Sequence, residues 1–336
     1  MTSLFRSISF LATGCLALLA TASAFASEAP TGSSAALQSR LAALAQRARP
    51  GTLGVAVLDL RSGTSWRINA GRGYPMMSVF KAPLGAAVLE RVDRGKLSLD
   101  REITLTSVDL RPGPGPIGGE IQAGHTEFSV RRLLDAAVSE SDNTAADALV
   151  KLVGGPTAVT TFLRAHGIEG IRVDRDERTL AHDIDGLAAK VDAPPADESA
   201  AAKLARKRRG YAAFLTDPRD TSTPEAAVAF LCKLWRGELV SRTSTTLMLE
   251  MMTHSPTVPN RLKGGVPAGA HLAHKSGTSI TFEAVTAAHN DIGILSWADG
   301  RTVIVAAFLT ASPASEQERD AIFATLTRDV AGALHP

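Results

Sequence analysis

The chain has 336 residues, 45% hydrophobic and 21% charged, with a formal net charge of +2. That is an ordinary globular composition, long enough for one large core or two modest ones. So small a charge argues against a nucleic-acid binder, and no helix-turn-helix, RNA-binding or zinc-finger pattern is present.

The N-terminus carries Arg6, an apolar run over 8–22, and Ala24-Phe25-Ala26, which has the small-x-small form of a signal-peptidase site. Residues 1–26 therefore read as a signal peptide cleaved after Ala26, giving a secreted or periplasmic product that starts at Ser27. A lipoprotein reading through Cys15 is less favoured, because Ala12-Thr13-Gly14-Cys15 lacks the usual leucine and leaves most of the apolar run behind the cleavage point. No later stretch approaches the roughly 18 to 20 uninterrupted apolar residues of a membrane span. Loss of Cys15 leaves Cys232 alone, so no disulfide is expected within the mature chain. Cys232 ends the apolar helical run Ala226-Ala227-Val228-Ala229-Phe230-Leu231-Cys232 and reads as a buried thiol.

After a Gly/Ser linker, 35–48 reads as an amphipathic helix, and 52–60 and 64–69 as β-prone runs joined by Arg61-Ser62-Gly63. From 78 to about 237 the periodicity is almost wholly helical, clearest over 78–93, 130–139, 144–153 and 224–236. The β signal returns at 271–278, 285–297 and 302–309, and a helix over 316–334 closes the chain. Strands at both ends with helices between them predict an α+β or α/β fold. Its discontinuous sheet domain (27–71 with 258–336) would hold an all-helical domain (72–257), and the cleft between them is the default active site.

Ser78-Val79-Phe80-Lys81 places a hydroxyl and an amine three residues apart, hence on one helix face. Pro83 is tolerated only in a first turn, so that helix must begin close to Ser78. Serine with lysine as its base is a known nucleophile arrangement, although the spacing alone is common on surface helices. Cleaving an amide also requires oxyanion donors, a proton for the leaving nitrogen and a route to release the acyl group. Ser141-Asp142-Asn143 sits between two helical runs, and Lys275-Ser276-Gly277-Thr278 ends an apolar strand. In this order the three segments match the signature of penicillin-binding proteins and class A β-lactamases.

Over essentially its whole mature length the chain resembles the class A serine β-lactamases, an antiparallel sheet flanked by helices plus an all-helical domain. Asp174-Arg175-Asp176-Glu177-Arg178-Thr179-Leu180 is similar to the family's omega-loop segment, Asp220-Thr221-Ser222-Thr223-Pro224 to the far end of that loop, and Asn290-Asp291 to a strand pair. The resemblance implies that Ser78 is acylated, that Lys81 and Glu177 share the general-base work, and that Ser141 with Lys275 protonates the departing nitrogen. It implies an oxyanion hole from the backbone N–H groups of Ser78 and Thr278, and Asn143 as holder of the substrate's side-chain amide. Many members carry an arginine where this chain has His289, which reads here as a structural strand residue. Arg261, in Asn260-Arg261-Leu262-Lys263-Gly264, matches the alternative position, so it is assigned to the substrate carboxylate together with Ser276, Gly277 and Thr278.

Three departures surround Glu177. Asp147 and Ala181 stand where the family generally has asparagine. Two ionised carboxylates at Asp147 and Glu177 would repel, which predicts a rearranged loop, with His182 as a candidate water partner. Asp147, Gly264-Gly265-Val266-Pro267-Ala268-Gly269 and Ala273-His274-Lys275 also resemble the extended-spectrum branch of the family. Finally, Asp220 follows Glu177 by 43 positions, so the omega loop, about 174–220, holds an insertion of roughly 30 residues. In it, 198–209 reads as a basic helix that could be docked, a mobile lid or disordered, its charges forming a solvated face or, less favoured, an anionic-surface contact.

The leading expectation is an exported, monomeric serine β-lactamase acting on a small-molecule β-lactam, without cofactor or metal. The alternatives are a D-alanyl-D-alanine peptidase or acylation-only penicillin-binding protein, and a non-catalytic β-lactam or peptidoglycan sensor. A positioned Glu177 separates the first from the second, because it alone supplies a base that activates water against the acyl ester.

Overall fold

The computed structural model describes residues 32–187 and 193–335, so the expected signal peptide and Cys15 lie outside the described residues. Helix α1 (Gly32–Arg47) precedes a hairpin of β1 (Thr52–Asp59) and β2 (Ser65–Ile68). The Asp59 carboxylate closes its turn by accepting from Arg61 N at 3.1 Å and Ser62 Oγ at 2.8 Å. Next come β3 (Tyr74–Pro75), a 3-10 turn at Met77–Phe80, α2 (Lys81–Asp93), β4 (Glu102–Thr104), α3 (Ile117–Gln122) and β5 (Glu127–Ser129). The helical part continues with α4 (Val130–Val138), α5 (Asn143–Leu152), α6 (Pro156–Ala165), α7 (Glu177–Ile184) and α8 (Ala200–Phe214). Strand β6 (Thr221–Ser222) leads into α9 (Pro224–Trp235) and α10 (Arg242–Thr253). The C-terminal part holds β7 (Ala270–Thr278), β8 (Thr281–Phe282), β9 (Val285–Thr286), β10 (His289–Trp297), β11 (Thr302–Thr310) and α11 (Glu316–Leu334).

One antiparallel sheet of order β2-β1-β11-β10-β7 joins the two ends of the chain, since β1 pairs with β11 along its whole length. One sheet face packs Val55, Val305 and Leu309 against Leu37 and Leu41 of α1 and Phe323 of α11. The other buries Ala56, Ile292, Ile304 and Phe308 against the helical part, including Leu84 and Phe230. Both faces are apolar, which explains why β11 is buried at every position and shows no alternation. Strand β7 is left at the sheet edge, packed against the 3-10 turn that carries Ser78. Cys232 is buried as expected.

The structure differs from the sequence reading at three places. The α-helix begins at Lys81, with Ser78 in the preceding 3-10 turn. The 285–297 run is not one strand: β9 pairs with β8, and β10 starts only at His289. Between them Ala287 N donates to Tyr211 Oη at 2.8 Å and Ala288 N to Ser279 Oγ at 2.9 Å, so side chains take the place of ladder partners. The inserted helix is docked, and its basic run is not a uniformly solvated face. Arg206 is buried against Glu198 and Asp185, Lys207 lies 3.2 Å from Asp185, and Arg208 lies 2.5 Å from Glu283. Acids from three segments are the physical reason: Arg206, Lys207 and Arg208 each have a carboxylate within reach once α8 is docked.

Candidate active site

Ser78 is set by backbone geometry on both sides. Met77, immediately before it, has φ +47°, a left-handed conformation that costs a non-glycine residue about 1–3 kcal/mol. From the sheet, Asn290 Nδ2 donates to Pro75 O at 2.8 Å and Met76 O at 3.1 Å, fixing β10 to the segment that enters the turn. Asn290 pairs in register with Gly277, and His289 with Thr278, so Thr278 ends β7 at the edge beside Ser78.

Lys81 is fully buried at the head of α2. Its amine donates to Ser141 O at 2.7 Å and Asn143 Oδ1 at 2.5 Å, and lies 3.1 Å from Glu177 Oε1. Three chain segments therefore meet at one nitrogen. No hydrogen bond from Lys81 to the Ser78 hydroxyl is present among the described residues: the amine donates to Ser141 O and Asn143 Oδ1, and Glu177 Oε1 is an ion-pair neighbour that accepts no hydrogen bond. Ser141 reaches the cluster through a left-handed φ of +63°, which aims its carbonyl at Lys81 while its Oγ accepts from Lys275 Nζ at 2.9 Å. Lys275 is fully buried, and desolvation, reinforced by the nearby Lys81 cation, holds its amine well below the usual lysine range.

Glu177 opens α7, whose N-cap is Asp176, accepting from Thr179 N at 2.8 Å. Asp147 does not oppose the Glu177 carboxylate, as the repulsion argument anticipated. Its Oδ1 instead accepts from Glu177 N at 2.7 Å and its Oδ2 from Arg178 N at 3.3 Å, a second cap on the same helix end. The ends of the loop are tied by Arg175 Nε to Asp220 Oδ2 at 2.6 Å and by reciprocal bonds in which Asp174 N donates to Asp220 Oδ1 at 2.7 Å and Asp220 N to Asp174 Oδ2 at 2.9 Å. Ala181 lies one turn beyond Glu177 on the same helix face, whereas His182 sits about 140° round the helix from Glu177. His182 makes no side-chain hydrogen bond among the described residues.

Arg261 is buried, 1% exposed, with Nε 3.2 Å from Asp320 Oδ1 and an N–H donated to Asn290 O at 3.1 Å. It makes no hydrogen bond to Ser276 or Thr278. Burial lowers its affinity for the proton, while Asp291 and Asp320 oppose that shift. The same Asp320 oxygen lies 2.9 Å from His289 Nε2, and Arg319 Nε donates to His289 Nδ1 at 3.3 Å. His289 is thus held neutral with its proton on Nε2, and burial keeps its pKa below the ordinary value.

Sequence reasoning missed several participants. Thr257 Oγ1 stands 3.4 Å from Ser276 Oγ. Pro112 O accepts from Asn143 Nδ2 at 2.7 Å. Arg111 Nε lies 2.6 Å from Asp147 Oδ2. The signal for Arg111 was available: a buried carboxylate at Asp147 calls for a cation, but nothing local says which one. Among the described residues no cluster of three or more His, Cys, Asp or Glu could hold a metal, and no helix is long and apolar enough to cross a membrane.

Residues 36–334 match the model of the β-lactamase enzyme family. Extended-spectrum β-lactamase PER-1 of Pseudomonas aeruginosa is 32% identical over 278 residues, covering 82% of this chain and 80% of that one. β-Lactamase VEB-1 of the same organism is 28% identical over 285 residues, 84% of this chain and 85% of the relative. A β-lactamase structure from Chitinophaga pinensis superposes with a TM-score of 0.75 at 32% identity, covering 89% of this chain and 99% of its own. The class A β-lactamase of the last common ancestor of Gram-negative bacteria superposes with a TM-score of 0.72 at 36% identity, covering 89% of this chain and 100% of its own. With sequence match, fold and a serine-lysine cluster in agreement, the chain belongs to the β-lactamase enzyme family, as a class A serine enzyme that hydrolyses the β-lactam amide.

Proposed function

We propose that this hydrolysis, on penicillins and cephalosporins, runs through Ser78. Ser78 Oγ attacks the lactam carbonyl as Lys81 and Glu177 share removal of its proton. The backbone N–H groups of Ser78 and Thr278 stabilise the oxyanion. Ser141 passes a proton to the departing nitrogen and is reprotonated from Lys275. A water activated by Glu177 then cleaves the acyl ester. Asn143 holds the side-chain amide of the substrate. The Ser276 and Thr278 hydroxyls meet the carboxylate where β7 ends beside Gly277, and Arg261 adds positive charge from behind the strand. Asp147 supports the water side by fixing the start of α7, a role for which His182 is placed less well.

The observation that carries this reading is Glu177 Oε1 3.1 Å from Lys81 Nζ, in the same cluster as Ser141 and Lys275. An acylation-only protein has no use for a carboxylate there. Intact mass and steady-state turnover on one cephalosporin test it. Wild type is expected to turn over without lasting adduct, and Glu177→Ala to accumulate acyl-enzyme on Ser78; a persistent adduct on the wild type overturns the reading. We also propose that residues 1–26 direct export with cleavage near Ala26, and that the working unit is a monomer, since every part of the site comes from one chain.

A further inference from the structure

Asp147 is 2% exposed and caps the helix that begins with Glu177. A carboxylate so buried is costly unless paired, and burial does push the Asp147 pKa upward, with Arg111 acting against that push. Arg111 comes from the loop between β4 and α3, far from the catalytic motifs in sequence. Its side chain is 7% exposed and its Nε lies 2.6 Å from Asp147 Oδ2. The rest of the guanidinium is held in place: Nη1 donates to Leu110 O at 2.8 Å and Val108 O at 3.2 Å, while Arg111 N donates to Thr144 Oγ1 at 3.0 Å on α5.

The groups facing Asp147 are therefore Arg111 from the loop, Glu177 N and Arg178 N from α7, and the Asp176 carboxylate at the α7 N-cap, which repels it. Protonation of Asp147 could place the proton on either oxygen, and on Oδ1 it would face Glu177 N as a donor and break the 2.7 Å bond. The start of α7 would lose half its second cap, and Glu177 is the first residue of that helix. Thr144 and Asp147 both lie on α5, whose first residue, Asn143, accepts from Lys81. A change at the loop thus reaches the base through two hydrogen bonds.

We infer that Arg111 is a positioning residue for deacylation: by pairing with Asp147 it keeps that carboxylate an acceptor for Glu177 N, and so holds the water-activating glutamate in place. The inference rests on the assignment of Glu177 as the deacylation base. Arg111 touches neither substrate nor reacting atoms in this account.

The test is a double-mutant cycle on the full-length mature enzyme with one cephalosporin, following acylation, deacylation and intact mass from about pH 5 to about pH 9. Arg111→Gln is expected to slow deacylation by about tenfold or more, most at low pH, with acyl-enzyme accumulating and acylation within about threefold of wild type. Adding Asp147→Asn is expected to restore deacylation to within about threefold, because the amide oxygen of an asparagine stays an acceptor for Glu177 N with no charge to neutralise, giving up only the longer bond from Arg178 N. A loss that Asp147→Asn does not relieve would mark Arg111 as a mere brace for its own loop and overturn the inference, as would wild-type turnover in Arg111→Gln at every pH. If Arg111→Gln does not accumulate as folded protein, the double variant decides alone: folded and active supports the inference, unfolded or stalled overturns it. Glu177→Ala is run alongside, and if it deacylates normally the base assignment itself fails, a result distinct from any outcome at Arg111.

Discussion

Gly277 and Met76 approach so closely that a Cβ on Gly277 would lie 2.2 Å from Met76 O and 3.0 Å from Val79 N. Both clashes are with backbone, so no side chain can yield to relieve them. The glycine of the Lys275-Ser276-Gly277 segment lets β7 lie against the turn bearing Ser78.

Gly277→Ala is therefore expected to push the strand off the turn. A misplacement of about 1 Å at a catalytic constellation costs about 100-fold. The expected outcome is a loss of kcat/KM of that order with a folded protein, measured by steady-state kinetics beside a melting curve. Wild-type kcat/KM would show that the strand has slack enough to absorb the methyl group and would overturn the expectation.

Tyr211 of the inserted helix reaches the turn between β7 and β10, its Oη accepting from Ala287 N at 2.8 Å and lying 2.9 Å and 2.8 Å from Ile280 O and Val285 O. Tyr211→Phe leaves Ala287 N, which is fully buried, without its partner. The cost is about 1–3 kcal/mol, or about 2–4 °C of Tm for each kcal/mol in a chain of this size. Calorimetry checks it, and an unchanged Tm would mean that water or a shifted carbonyl replaces the hydroxyl.

Helix α8 crosses the end of α7 at Gly210, where a Cβ would stand 2.3 Å from Gly186 N and 2.6 Å from Ile184 O. Gly210→Ala should lift α8 from α7 and destabilise the protein by about 1–3 kcal/mol, as overpacking does. Because α7 starts with Glu177, deacylation should slow more than acylation. A drop in Tm with both rates intact would confine the insertion to a structural role.

His289 gives a pH signature. Its folded pKa lies below the unfolded value of 6.5, because burial disfavours the imidazolium. Below that pH the unfolded chain binds the proton first, so this contribution to stability is complete above about pH 6.5 and is lost as pH falls from there toward the folded pKa. Each unit of depression is worth about 1.4 kcal/mol. Melting curves between about pH 8 and about pH 5 should fall for the wild type and flatten in His289→Gln. Equal slopes in the two proteins would assign the acid limb to other groups, Asp320 among them, whose own pairing is lost only at lower pH.

Much of the site is legible in the amino-acid sequence. Ser78 and Lys81 are three residues apart, the closing helix runs over 316–334 as its periodicity predicts, and the paired β runs at the two ends of the chain imply one sheet. These follow from the sequence because they depend on local geometry: the repeat of helix or strand, caps, and turn residues. The three motifs are also local, and their residues meet around Lys81. The tertiary structure alone decided which side chains answer one another across long separations. Asp147 meets Arg111 over 36 positions, and Tyr211 meets Ala287 over 76. It also decided that Lys81 bonds Ser141 and Asn143 and pairs with Glu177, with no bond to Ser78 among the described residues, and that the basic insertion is pinned by acids. Periodicity tells a segment which face to bury, but not which buried charge will find which partner. That choice depends on the distances left when all the helices and the sheet have packed together, a property of the whole chain.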